Sequence, residues 1–354
     1  MGTAVAIGLA ALCVLVPAAA GAQGKGTVQP KIVGGSQVSI AQYPWQAAVV
    51  FSPSSEPGDA HERQFCGGSL ITSRIVLTAG HCVFDTDPDC LILCSLSDPG
   101  GDGTPKIDPN NVDVVLGRTT LSNASEGAEV GVQATAFQSN YNGNFQHHGV
   151  PRFDVGYLVL NASASQPQIH IAGTDEGSLW APGAPVDISG WGLTDESAAD
   201  TEDALRATTV NIVPDSDCSD DYGNDFDDAT MICASAPGRD TCSGDSGGPL
   251  QAAIGAGQYR LVGITGWGDG CARPDAPGVY TRIADSTMRP LIEADIATLE
   301  AQLDLPPETP VGSDASTRTT KPAAKPAAKK CKRIRDKKKR KRCVKRAKKK
   351  QQTA

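Results

Sequence analysis

Few backbones can host the run Asp240-Thr241-Cys242-Ser243-Gly244-Asp245-Ser246-Gly247-Gly248-Pro249-Leu250. Gly244 precedes Ser246 by two residues, and Gly247-Gly248 follow it. Glycines let a chain turn sharply and come close to its neighbours. A serine set in such a turn can expose its hydroxyl while backbone amides aim at a developing negative charge. A Gly-rich serine alone is more often an ordinary turn than a nucleophile. The full run is far more specific, and it makes demands on the rest of the chain. A serine nucleophile needs a base to take its proton, so a histidine and a carboxylate to orient it are sought elsewhere.

Each demand has a candidate. Ile32-Val33-Gly34-Gly35 follows Lys31 and reads as a strand start and a turn. The apolar run Arg74 to Ala79 leads into Gly80-His81-Cys82. A lone His beside a Cys could be structural or a fragment of a metal site, but no second His follows at zinc spacing. Asp154 heads the apolar run Val155 to Leu160, and burying a carboxylate there requires partners. Further strand-like runs are Tyr43–Phe51, Phe65–Ile71, Val112–Gly117, Val130–Phe137, Val186–Thr194, Leu205–Val213 and Tyr259–Thr265. Many short strands, Gly-rich turns and few helices place the chain in the all-β class. From Asp285 to Leu303, apolar residues recur at helical spacing, with Asp285 placed to cap the start.

Taken in order, these motifs resemble the trypsin-like serine proteases of the chymotrypsin family over about residues 32 to 303. The resemblance implies two six-stranded antiparallel β-barrels, a C-terminal helix and a site in the cleft between the barrels. It assigns His81 as general base, Asp154 as its orienting partner and Ser246 as nucleophile, with the Gly244 and Ser246 amides as oxyanion hole. It makes Asp240 the floor of the pocket for the residue before the cut bond. Thr241, Trp267, Gly268 and Gly278 line that pocket. An Asp on the floor implies cleavage after Arg or Lys. The resemblance further implies activation by cleavage after Lys31, which frees the Ile32 amino group to pair with Asp245. It pairs Cys66 with Cys82, Cys218 with Cys233, and Cys242 with Cys271. Two positions depart from the family: Gly266 stands where a Ser usually supports the catalytic Asp, and Ser243 replaces a longer polar side chain.

Composition adds the setting. Residues 1–22 are mostly small and apolar and end Ala20-Gly21-Ala22, as in a secretory signal peptide. Residues 23–31 then form a short propeptide, and 32–304 the protease domain. Secretion permits disulfides. Residues 305–328 are Pro- and Ala-rich and read as a linker, and 329–354 as a basic, disordered tail. The body from 32 to 316 holds 39 acidic and 11 basic residues, whereas 317–354 holds 19 Lys+Arg and one acid. The acidic body disfavours nucleic acid. The tail suits an anionic cell-surface or wall polymer, with the acidic body itself as another partner. The other partners implied are polypeptides with accessible Arg or Lys, and protein inhibitors of such enzymes. No cofactor is expected. Asp85, Asp87 and Asp89 offer oxygens of the kind calcium takes, but their spacing fits no ligand loop and a solvated turn is preferred. Cys90 with Cys94, and Cys331 with Cys343, are further candidate pairs. The competing function is a weak or inactive protease-fold binding module, held on anionic surfaces by its tail.

Overall fold

The computed structural model describes residues 32–84, 106–142 and 150–308. Lys31 and the residues before it, the Asp85–Asp89 cluster, Cys90, Cys94, and the chain from 309 with Cys331 and Cys343 lie outside the described residues.

After a short β1 (Ser36–Gln37), six strands build the first half: β2 (Gln46–Phe51), β3 (Gln64–Leu70), β4 (Ile75–Thr78), β5 (Val112–Leu116), β6 (Ala128–Phe137) and β7 (Gly156–Leu160). They pair antiparallel as β2-β3-β4-β7-β6-β5, and β5 closes onto β2. The alternation of side chains along a strand explains why β2 is buried on both faces. Ala47 and Val49 join Leu70, Leu77, Val114 and Leu158 in one core. Ala48 and Val50 face the other way, into a second cluster with Val115, Leu121, Trp191 and Leu205.

The second half holds β8 (His170–Ile171), β9 (Pro185–Gly190), β10 (Arg206–Ile212), β11 (Met231–Ser235), β12 (Pro249–Gly255), β13 (Gln258–Trp267) and β14 (Gly278–Arg282). The ring β9-β10-β11-β14-β13-β12 closes because β9 pairs with both β10 and β12. Its core gathers Val186, Ile188, Val210, Ile232, Leu250, Val262 and Tyr280. The expected pair of six-stranded antiparallel barrels is therefore present. Strand β1 lies along β10, and β8 lies parallel to β13.

Among the described residues, two α-helices complete the body. α1 (Asp215–Tyr222) has no counterpart among the elements expected from the sequence. Asp215 and Asp217 sit in its first turn, where the helix dipole favours negative charge. α2 (Met288–Gln302) is the expected terminal helix. Asp285 accepts the Thr287 and Met288 amides at 2.9 Å each, and Met288, Ile292 and Ile296 are buried. The helix ends at Gln302, and Asp304, with φ 52°, turns the chain before Pro306. Residues 305–308, expected to open the linker, instead pack on the body. The Glu308 carboxylate accepts the Ser73 amide at 2.8 Å and the Ser73 hydroxyl. The Glu308 amide in turn donates to Glu300 Oε1 at 2.9 Å.

A buried polar chain joins the barrels. Trp45 Nε1 donates to Gln251 Oε1 (2.7 Å), Gln251 Nε2 to Ser189 Oγ (3.0 Å), and Ser189 Oγ to Gln46 Oε1 (2.6 Å). Gln251→Leu leaves the buried indole donor without its acceptor. The expected loss is about 1–3 kcal/mol of unfolding free energy, the usual range for an orphaned buried group. A urea denaturation midpoint unchanged from wild type would contradict this.

Candidate active site

The first barrel supplies a histidine–aspartate couple. β4 ends at Thr78, and the next turn, Gly80–Cys82, is a short 3-10 helix that carries His81. The Cys66–Cys82 disulfide ties this turn to β3, with Cα atoms 6.3 Å apart. Asp154, buried at the head of β7, accepts the His81 amide through Oδ1 at 2.8 Å. Its Oδ2 lies 2.8 Å from His81 Nδ1. Burial favours the neutral imidazole, but the charge of Asp154 and its hydrogen bond outweigh this and raise the His81 pKa above its ordinary value. The Asp154 carbonyl accepts the Thr281 hydroxyl of β14 at 2.9 Å, so the second barrel also steadies this residue. At Gly266 an added Cβ would stand 3.9 Å from Asp154 Oδ2. A side chain there would face the carboxylate, and the glycine leaves that contact out.

The second barrel supplies the serine turn. Ser246 and His81 line one cavity of about 290 Å³. The Ser246 carbonyl accepts the Gly67 amide of β3 at 2.7 Å. Gly244 has φ 92°, a conformation that favours glycine. The Ser243 carbonyl accepts the Leu193 amide at 2.8 Å. Carbonyl and amide point oppositely across a trans peptide, so the Gly244 N–H is turned away from Leu193. Asp245 is buried, and its carboxylate accepts the Gly192 amide at 2.8 Å and the Cys242 amide at 3.0 Å. Desolvation outweighs these donors and pushes its pKa up to about 7. Ile32 is fully buried in the second core beside Val186, Ile188 and Tyr280. Its neighbour Val33 accepts the Asp240 amide at 3.2 Å, a direct link from the start of the domain to the cavity.

Asp240 lines that same cavity. It is 4% exposed, and its carboxylate accepts the Thr241 amide at 2.8 Å and the Ala272 amide at 2.9 Å. Burial dominates over these bonds and pushes its pKa up to about 6. A Cβ on Gly278 would fall 2.5 Å from Asp240 Oδ1, so only a glycine leaves the carboxylate open to the cavity. A Cβ on Gly268 would lie 3.9 Å from the Gly278 Cα, so the two glycines are close neighbours in the cavity lining. Thr241 Oγ1 lies 3.5 Å from Asp240 Oδ1. Trp267 meets Tyr222 edge-on, with ring centroids 4.8 Å apart. The Cys242–Cys271 disulfide ties the walls, and Cys218–Cys233 ties α1 to β11.

One contributor has no local signature. Glu196, in the acidic loop Asp195–Asp203, accepts the Cys271 amide at 2.6 Å and Arg273 Nε at 2.9 Å. It thereby holds the pocket wall across 75 residues of sequence. The bare composition of that loop reads as solvated charge, and only the fold reveals the contact. Cys66, His81 and Cys82 are close enough to bracket an ion. The two sulfurs are bonded to each other, however, and His81 Nδ1 engages Asp154.

Two closed barrels that meet at such a cleft are the fold of the chymotrypsin-type serine proteases. Within that class the chain belongs to the trypsin family, whose family model, described as "Trypsin", matches residues 32–290. Similar proteins include "Trypsin-1" of Astacus astacus, 33% identical over 72% of this chain and 95% of that protein. "Trypsin" of Saccharopolyspora erythraea is 32% identical over 71% of this chain and 93% of its own length. "Trypsin beta" of Drosophila erecta is 31% identical over 72% and 85%.

Proposed function

We propose that this protein is a secreted serine endopeptidase that cuts peptide bonds after Arg or Lys and is made as a zymogen. One observation carries the specificity: the buried Asp240 carboxylate lines the same cavity as His81 and Ser246. An Arg or Lys side chain entering there supplies the cation that this desolvated carboxylate favours. A substrate without one leaves a buried charge unpaired, which is costly.

The chemistry follows the family template. Ser246 Oγ attacks the scissile carbonyl as His81 takes its proton. Asp154 holds Nδ1 and stabilises the imidazolium. The Gly244 and Ser246 amides receive the oxyanion, and His81 returns the proton to the leaving amine. Water then hydrolyses the acyl-enzyme by the reverse proton route.

Activation follows from Asp245. In this reading, cleavage after Lys31 frees the Ile32 ammonium, which pairs with the buried carboxylate. Without that cation the raised pKa of Asp245 sets the sign. Its buried arrangement takes up a proton, so it is most stable below the ordinary carboxylate range and loses stability as pH rises through about 7. Residues 1–22 are assigned as signal peptide and 23–31 as propeptide. The basic tail is assigned to an anionic surface outside the cell.

The test is hydrolysis of matched amide substrates bearing Arg, Lys, Phe or Ala before the cut bond. Two forms are compared, one with Ile32 freed and one with Lys31 retained. Rapid Arg and Lys cleavage by the freed form alone is expected, and the ratio of the two rates should grow between pH 6 and 8. Preferred cleavage after Phe or Ala would overturn the pocket. A freed form inert toward all four would favour the binding-module reading.

A further inference from the structure

We propose that Gln64, a β3 residue of the first barrel, is a positioning residue for the oxyanion hole formed by the second barrel. The inference rests on the peptidase reading above. Gln64 is only 8% exposed. Its Nε2 donates to the Gly244 carbonyl at 2.7 Å and to the Cys66 carbonyl at 3.1 Å. Two carbonyl acceptors fix the direction of the amide, because a flipped side chain would set its oxygen against both.

The position of these bonds matters more than their number. The hole depends on the direction of the Gly244 N–H. Gly244 has no side chain to lock it, and it sits at φ 92°. The peptide before it is held by the Leu193 amide on the Ser243 carbonyl. The peptide after it is held by Gln64 on the Gly244 carbonyl. With both flanking carbonyls fixed, the N–H between them has one orientation. Three residues further along β3, the Gly67 amide grips the Ser246 carbonyl at 2.7 Å, just beyond the second oxyanion donor. One strand of the first barrel therefore holds both ends of the donor turn. Gln64 Oε1 is buried with no hydrogen-bond partner among the described residues. A buried acceptor left in this way costs stability, and a hydrophobic residue would avoid the cost. Its retention fits a task for the Nε2 donor. Gln64 does not line the Asp240 cavity, so its loss should spare binding in the pocket.

The experiment compares two ligands on the protein with Ile32 freed. Benzamidine probes the Asp240 pocket alone. A peptide argininal forms a tetrahedral adduct with Ser246 and places an oxygen in the hole. Gln64→Met keeps the size of the side chain and removes the donor, and Gln64→Glu places an oxygen against both carbonyls. Removing an oxyanion donor outright costs roughly 100- to 1,000-fold in kcat, so misorienting one should cost about 10- to 100-fold. In Gln64→Met, kcat and argininal affinity should both fall by about that factor, while KM and benzamidine affinity stay within about 3-fold. Gln64→Glu should lose at least as much. Argininal affinity and kcat unchanged in both variants would overturn the proposal. So would a parallel loss of both ligands, which marks a merely structural role. A wild-type protein that neither turns over an Arg substrate nor binds the argininal would instead overturn the peptidase reading itself.

Discussion

Replacing Ser246 by Ala should lower kcat for an Arg amide substrate by about a millionfold, the loss seen when a serine nucleophile is removed from such a triad. The substitution takes away one oxygen and little else. The backbone of the turn is held from outside, through the Gly67 amide on the Ser246 carbonyl and the Asp245 contacts to Gly192 and Cys242. Asp240 is held by its own contacts to the Thr241 and Ala272 amides and is untouched. The variant should therefore bind benzamidine as tightly as wild type. Only the activated form tests this fully, so both proteins must carry a free Ile32. A residual rate within 100-fold of wild type would remove Ser246 from its role.

The same variant reports on the tail. Lys106 is the only Lys between residues 32 and 316, with ten Arg, whereas residues 317–354 carry 19 Lys+Arg. An enzyme that cuts after these residues should trim its own basic extension on prolonged incubation. Ser246→Ala should keep it. Intact mass measured over time distinguishes the two, and equal retention in both would count against self-trimming.

Asp240→Ser should lower kcat/KM for Arg and Lys substrates by about 10,000-fold, the scale on which a site built for a polar partner rejects a mismatch. Here the enzyme loses its partner for the substrate cation, while His81, Asp154 and Ser246 stay in place. Activity toward small apolar residues should persist at wild-type level or above. The pH profile gives an independent check. With its pKa pushed up to about 6, Asp240 is ionised above that pH and neutral below it. Arg binding should therefore weaken as pH falls through about 6, a change absent from the Ser variant. His81 titrates in both proteins, with its pKa raised by Asp154, and so affects kcat in both. A KM for Arg substrates that stays flat across this range in wild type would show that Asp240 does not meet the substrate.

The legible parts of this protein are those in which one short stretch does one job. The turn around Ser246 needs its glycines in order, and His81 stands next to the cysteine that anchors it. Asp154 is conspicuous because a carboxylate heads an apolar strand. The all-β class follows from many short strand-like runs and Gly-rich turns, and the resemblance to the trypsin-like proteases supplies the two barrels. What escaped the sequence are residues whose meaning lies in a distant partner. Gln64 is an ordinary strand residue until Gly244 arrives, 180 positions later. Glu196 is one acid among several until it meets Cys271. α1 was hidden because its sequence, Asp215-Ser216-Asp217-Cys218-Ser219-Asp220-Asp221-Tyr222, carries no apolar stripe at helical spacing, although Asp is favourable in a first helical turn. Glu308 looked like linker and is tied to Ser73.

That last contact makes the two ends of the folded body unequal as attachment points. Ser73 precedes β4 and His81 follows it, so the chain beyond Glu308 departs from the end of the strand remote from the histidine. A fusion partner or a resin joined directly after Glu308, in place of the self-trimmed basic tail, would attach at the end of β4 away from His81. The same load joined ahead of Ile32 would be lost with the proposed cleavage after Lys31, beside a residue buried in the second core. For immobilising or displaying this protein, the carboxyl end is the handle.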